Sequence, residues 1–201
     1  MKARSSEARP VLAVVGLRVK SGFAIAVLVA GPVQLPQVVD RCVIDLCDLT
    51  VPESRQPFHA AFGMLEKDQS KLAQRIKTVE WATNTSVTKL LEDYRKTGWF
   101  VRSAALVVGS VIEPASITNP HIRAHALEGQ LFRTVLEKAL ASNGLPCSVV
   151  VERSAYAKAA SVLGRAENDL KRAVVSLGRS RSGPWRAEEK LAALAAWIAL
   201  A

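Results

Sequence analysis

Two apolar runs open the chain, residues 11–15 and 23–30, with the segment 16–22 between them. Short runs rich in β-branched residues around a Gly-bounded turn predict a β-hairpin. Neither run alternates with polar residues, which predicts burial on both faces and a place at the centre of a sheet. Gly31-Pro32 breaks the second run, and residues 38–46 read as a third strand. Its partial alternation, with Arg41 and Asp45 on one face, puts it nearer an edge. The prolines of residues 50–57 mark a loop. From Phe58 to Lys96 the spacing of Met64/Leu65, Leu72, Ile76 and Val79 is helical. Thr83-Asn84-Thr85-Ser86 predicts a break there, with Thr85 or Ser86 capping a second helix that Gly98 stops.

The second half alternates between the two periods. Residues 100–108 predict a fourth strand. Asn119-Pro120 is a helix start, a capping side chain followed by a ring pre-set for the first turn. That helix runs to Ser142 on an apolar face of Leu127, Leu131, Phe132, Val135, Leu136 and Ala139, and Asn143-Gly144 ends it. Residues 147–151 predict a fifth strand. Ser154 then caps a helix to Leu163, and a second helix spans 167–177. A basic linker, 179–183, leads to a last helix opened by Pro184-Trp185. The order β-β-β-α-β-α-β-α-α-α implies an α/β fold, a five-stranded mixed sheet with helices on both faces.

Composition narrows this picture. With 201 residues, 49% apolar and 22% charged, the chain is expected to form a single globular domain. Its net charge of +9 admits an anionic partner, or simply a basic surface. Three widely spaced cysteines, Cys42, Cys47 and Cys147, are expected as buried free thiols, which suits a reducing compartment. The apolar start is broken by Arg18 and Lys20, so neither a signal peptide nor a membrane span is expected, and the cytoplasm is the expected location.

Several stretches resemble the ribonuclease-H-like superfamily, and RuvC-type Holliday-junction resolvases in particular. Residues 11–30 have the form of the family's first hairpin. Leu106-Val107-Val108 followed by Glu113 resembles its fourth strand and the catalytic Glu after it. Residues 147–158, from Cys147 through Glu152-Arg153 to Lys158, with Leu163-Gly164 beyond, resemble the next strand and its Lys-bearing turn. Lys171-Arg172-Ala173-Val174 resembles the basic helix that follows, and residues 187–195, with Glu188 and Glu189, the acidic, Ala-rich closing helix. The resemblance implies a ribonuclease-H-like domain over 1–201 that carries a helical insertion at 58–96, a segment the resolvases lack. It implies Glu113, Glu188 and Glu189 as ligands of Mg²⁺ or Mn²⁺ if the protein is catalytic, with Lys158 on a phosphate. Two departures bear on activity. The family's first-strand Asp is missing, and the closing acids are Glu in place of Asp. The expected protein therefore binds nucleic acid with a degenerate catalytic centre. The alternatives are an active metal-dependent nuclease with an atypical carboxylate set, or a non-catalytic protein-interaction scaffold. A dimer is admitted.

Three other groups of residues carry chemistry of their own. His121, His125 and Glu128 share a helix face at i, i+4 and i+7, a spacing able to hold zinc or a related metal, or simply a polar helix flank. The loop 53–59 offers Ser54, Arg55 and His59 beside a helix start, where an anion could sit. Arg18, Lys20, Arg153, Lys158, Lys171 and Arg172 form a basic set. Arg165, Arg179, Arg181, Arg186 and Lys190 extend it, and Trp185 is placed to stack on a base or to anchor the core.

Overall fold

The computed structural model describes residues 11–60, 64–180 and 183–201. The polar start of the chain, residues 61–63 of the predicted helix, and Arg181 of the basic set lie outside the described residues. The element order follows the hydropathy pattern. Strands β1 (Val11–Lys20), β2 (Phe23–Ala30) and β3 (Gln37–Asp45) precede helix α1 (Gln69–Lys96). Then come β4 (Trp99–Val108), α2 (Pro120–Ser142), β5 (Cys147–Val151), α3 (Ala155–Leu163), α4 (Glu167–Leu177) and α5 (Ala187–Leu200).

The strands form one sheet in the order β3-β2-β1-β4-β5. β1 is antiparallel to β2 and parallel to β4, β2 is antiparallel to β3, and β4 is parallel to β5. The first hairpin is therefore central and β3 is an edge, as the pattern predicts. One correction follows. The segment 16–22 is not an interruption: β1 continues to Lys20, and the turn is Ser21-Gly22, with Gly22 at φ +83°. Leu17 and Val19 are buried between the charged residues, so Arg18 and Lys20 belong to a strand that alternates at its end.

Alternation along β1 also separates the two layers. Ala13, Val15, Leu17 and Val19 pack with α1 and α2 on one face, while Val14 packs against α5 on the other. α3 and α4 complete that second layer around β4, β5 and α5. The alanines of α5 let it lie very close to the sheet: a Cβ added to Gly16 would stand 1.8 Å from the Ala192 carbonyl oxygen. Any side chain at Gly16 would lift the helix off β1, so this glycine is required by approach and not by backbone conformation.

α1 corrects a second expectation. It starts at Asp68, whose carboxylate accepts from the Ser70 and Lys71 N–H groups, and runs unbroken for 28 residues. The polar stretch 83–86 does not break it, because Thr83 is fully buried and its hydroxyl donates to the Leu46 carbonyl at 3.1 Å. A threonine with a tertiary partner no longer competes with its own helix. Val79, Val87, Leu90, Leu91 and Tyr94 of α1 belong to the main core. Residues 58–60 and 64–66, predicted helical, instead meet through an antiparallel bridge between His59 and Leu65. Ser154 stands at the N-terminus of α3 without a capping bond from its side chain. Its hydroxyl donates back to the Val151 carbonyl.

All three cysteines are free; Cys47 is buried, and Cys42 and Cys147 are half-buried. Burial pushes their thiols up, that of Cys147 to about 12. Among the described residues, no helix is long and apolar enough to cross a membrane.

Candidate functional site

β1, β4 and β5 run parallel, so their C-terminal ends meet at one edge of the sheet. Edges of this kind are where open α/β sheets take ligands. A cleft of about 240 Å³ lies there, lined among others by Arg18, Lys20, Gly109, Ser110, His125 and Arg133. Arg18 and Lys20 line it from β1 and His125 from α2, and each belongs to a larger group of charged residues.

On the α5 side the groups are cations closed by carboxylates. Arg18 is only 4% exposed. Its guanidinium donates to the Val107 carbonyl at 3.2 Å and pairs with Glu152, the residue that follows β5. Lys20, two residues on and on the same face, pairs with Glu188 in the first turn of α5 at 3.5 Å. The Glu188 carboxyl is held below its ordinary range, chiefly by its own backbone N–H, with Lys20 and Arg18 contributing.

The other two predicted acids are placed elsewhere. Glu113 is exposed in the loop after β4, where its carboxylate caps the single-turn helix Pro114–Ser116 through the Ala115 N–H. Glu189 accepts from the Arg186 N–H at 3.0 Å and pairs with Arg41 of β3 at 3.5 Å. Among the described residues, none of these three belongs to a cluster of potential metal ligands. A two-ion centre holds its ions about 4 Å apart and needs several carboxylates with free lone pairs to do so. Here Glu152 and Glu188 each face a cation, and the buried Arg18 charge would repel an ion set between them. This donor set does not fit a pair of Mg²⁺ or Mn²⁺ ions.

The other members of the basic set follow β5 in the chain. Arg153, beside Glu152, is exposed. Lys158, in α3, is exposed and donates back to the Val149 carbonyl at 3.3 Å. Lys171 lies over the Tyr156 ring at 5.6 Å, and Arg172 pairs with Asp169. Trp185 is half-buried: its indole N–H donates to the Val174 carbonyl at 2.9 Å and its ring covers Gly178. In the loop before residue 59, Ser54 is fully buried and its hydroxyl donates to the Asp48 and Val51 carbonyls.

On the α2 side the groups are imidazoles around a carboxylate. The Asn119 cap and Pro120 start α2 so that His121 and His125 share a face of its exposed first turns. Glu128, one turn further, points inward and is fully buried. His59 joins them from the bridged segment. Arg75 of α1 holds that segment by donating to the Pro57 and His59 carbonyls at 2.9 and 3.2 Å, and it pairs with Glu66 at 3.4 Å. The His59 Nδ1 lies 2.6 Å from the Glu128 Oε1, and the His125 Nδ1 lies 3.6 Å from the Glu128 Oε2. Burial pushes the Glu128 carboxyl up, against the pull of His59.

The helical spacing brings out His121, His125 and Glu128, and the structure adds His59, so all three histidines of the chain meet in one cluster. Only the scarcity of histidine in the sequence could have linked His59 to the other two.

No protein-family profile matches the chain, and no curated protein does. Solved structures do. The Thermus thermophilus RuvC structure is 11% identical, with a TM-score of 0.54 over 94% of this chain and 93% of that one. T. thermophilus RuvC in complex with Holliday junction substrate is 10% identical, with a TM-score of 0.50 over the same shares. At these identities the likeness is one of fold.

Proposed function

We propose that this chain, which has the ribonuclease-H-like fold of RuvC, binds nucleic acid through the C-terminal edge of its sheet and does not cleave it by a two-metal mechanism. One observation carries the reading. A buried arginine on the central strand, Arg18, closes the site by pairing with Glu152, and Lys20 engages Glu188 beside it. Carboxylates neutralised in this way no longer offer a divalent ion a concentrated negative field.

The surroundings favour a polyanion. Arg153 and Lys158 are exposed just beyond Glu152, Arg133 lines the cleft, and the whole chain carries a charge of +9. Contacts from Lys and Arg to phosphates release condensed counterions, which gives affinity with little sequence preference and a steep dependence on salt. Lys20 keeps 35% of its side chain exposed and can exchange Glu188 for a phosphate; Arg18 is too deep to do so and acts as the internal counter-charge.

The test is equilibrium binding of labelled single strands, duplexes and four-way junctions across a salt series. A junction is included because RuvC is seen with that substrate. Binding is expected to weaken steeply with salt. Lys20→Ser, Arg153→Ser and Lys158→Ser are each expected to reduce the salt slope by about 1 if they meet a phosphate. Absence of binding to all three ligands at low salt would sink the proposal.

A further inference from the structure

We propose that His59, His121 and His125 form a binding site for a transition-metal ion of the zinc class, with Glu128 as the residue that orients His59. This goes beyond the nucleic-acid reading and does not depend on it. The three side chains place one potential ligand atom each within 4.8 Å of one another. The ring centroids are 4.5, 4.6 and 5.2 Å apart, so the rings converge on one point from two separate segments of the chain.

The atoms that face each other are the right ones. The Nε2 atoms of His121 and His125 are 3.3 Å apart. Two imidazole nitrogens bound at about 2.0–2.1 Å to one tetrahedral ion stand about 3.3 Å apart. The i, i+4 spacing on α2 supplies this pair without distortion.

His59 supplies the third donor. Its Nδ1 is 2.6 Å from the Glu128 Oε1, and the tautomer that donates this proton to the carboxylate leaves Nε2 with its lone pair. That Nε2 is buried and has no hydrogen-bond partner in the protein, as does the Glu128 Oε2. A buried ring nitrogen with a lone pair and no donor to meet it is costly unless a cation completes it. The fully buried Glu128 adds the negative charge that a divalent ion on three neutral imidazoles calls for.

Three imidazoles and no thiolate favour zinc, cobalt, nickel or copper over magnesium or calcium. Three protein ligands leave a coordination position open to water or to an anionic oxygen. His121 and His125 are exposed, which gives the ion a way in, and His125 also lines the cleft.

The experiment is titration of the full chain, stripped with a chelator, with Zn²⁺ by calorimetry and with Co²⁺ by visible absorption. We expect one equivalent to bind, with the intense absorption of tetrahedral Co²⁺. His121→Ala and His125→Ala, both at exposed positions, are expected to abolish that absorption while leaving the circular dichroism unchanged. Glu128→Gln keeps the shape of the residue and is expected to weaken binding by about 10- to 100-fold. The proposal is overturned if the chain binds Zn²⁺ no more tightly than the His121→Ala/His125→Ala double variant. It is also overturned if Co²⁺ binds with only the weak absorption of an octahedral ion. Either result would make the cluster a packing of rings around Glu128 and nothing more.

Discussion

Arg18 and Glu128 are the two most deeply buried charged residues of the described chain; Arg18 lines the cleft, and Glu128 lies beside His125, which also lines it. Arg18 sits on the sheet and is answered directly, by the Glu152 carboxylate and the Val107 and Val19 carbonyls. Glu128 sits on a helix and is answered by His59 at 2.6 Å and by the Phe58 N–H, while its second oxygen has no hydrogen bond and lies 3.6 Å from the His125 Nδ1. A buried charge persists only when something compensates it. On the α5 side that compensation is built into the chain. On the α2 side the carboxylate is met by a cluster of three imidazoles, of which the buried His59 Nε2 has no hydrogen-bond partner. The two groups, a closed wall at Arg18 and an open one at Glu128, therefore meet their buried charges in different ways.

Removing the counter-charge from the closed wall should have the largest effect. Glu152→Gln leaves Arg18 buried and uncompensated. Because the Glu152 side chain is 44% exposed, the loss is discounted to about 2–3 kcal/mol from the range for fully buried pairs. Denaturant unfolding measures it. A loss below about 0.5 kcal/mol would mean that water already screens the pair and that the two walls do not differ.

Glu128→Gln probes the open wall and should behave in the opposite way in metal-free protein. The amide oxygen still accepts from His59, and a buried charge is removed, so stability should change by less than about 1 kcal/mol, neutral or favourable. A loss comparable with that of Glu152→Gln would break the contrast.

The smallest expected effect concerns pH. Glu188 has a depressed carboxyl, so its interactions contribute stability above its ordinary value of 4.5 and lose it as pH falls through that region and below. Both partners are about one-third exposed, and the Lys20 share is about 0.5 kcal/mol near neutrality. Wild type and Lys20→Met should therefore differ in stability near pH 7 and converge towards about pH 3. A gap that stays constant across this range would remove Glu188 as the partner of Lys20.

The fold was legible because it rests on local rules. Short apolar runs and the 3.6-residue period separated the five strands from the helical segments, and Asn119-Pro120 marked the start of α2. The errors arose where a tertiary contact overrode a local preference. Thr83 reads as a helix breaker until its hydroxyl finds the Leu46 carbonyl. Arg18 and Lys20 read as turn residues until Glu152 and Glu188, more than a hundred residues away, come to meet them. Along α2 the helical spacing brings His121, His125 and Glu128 to one face. His59 lies in a different segment, and its approach depends on Arg75 fastening that segment. No periodicity encodes such a meeting.

The central claim is that the strand-end carboxylates are closed by cations, so that the edge holds nucleic acid without a two-metal centre. Its most direct test is a single assay in which labelled single strands, duplexes and four-way junctions are incubated with the protein and Mg²⁺ or Mn²⁺, with binding and cleavage followed together. The account predicts salt-sensitive binding and no divalent-ion-dependent cleavage. Cleavage that requires Mg²⁺ or Mn²⁺ and is lost in Glu152→Gln or Glu188→Gln would contradict it.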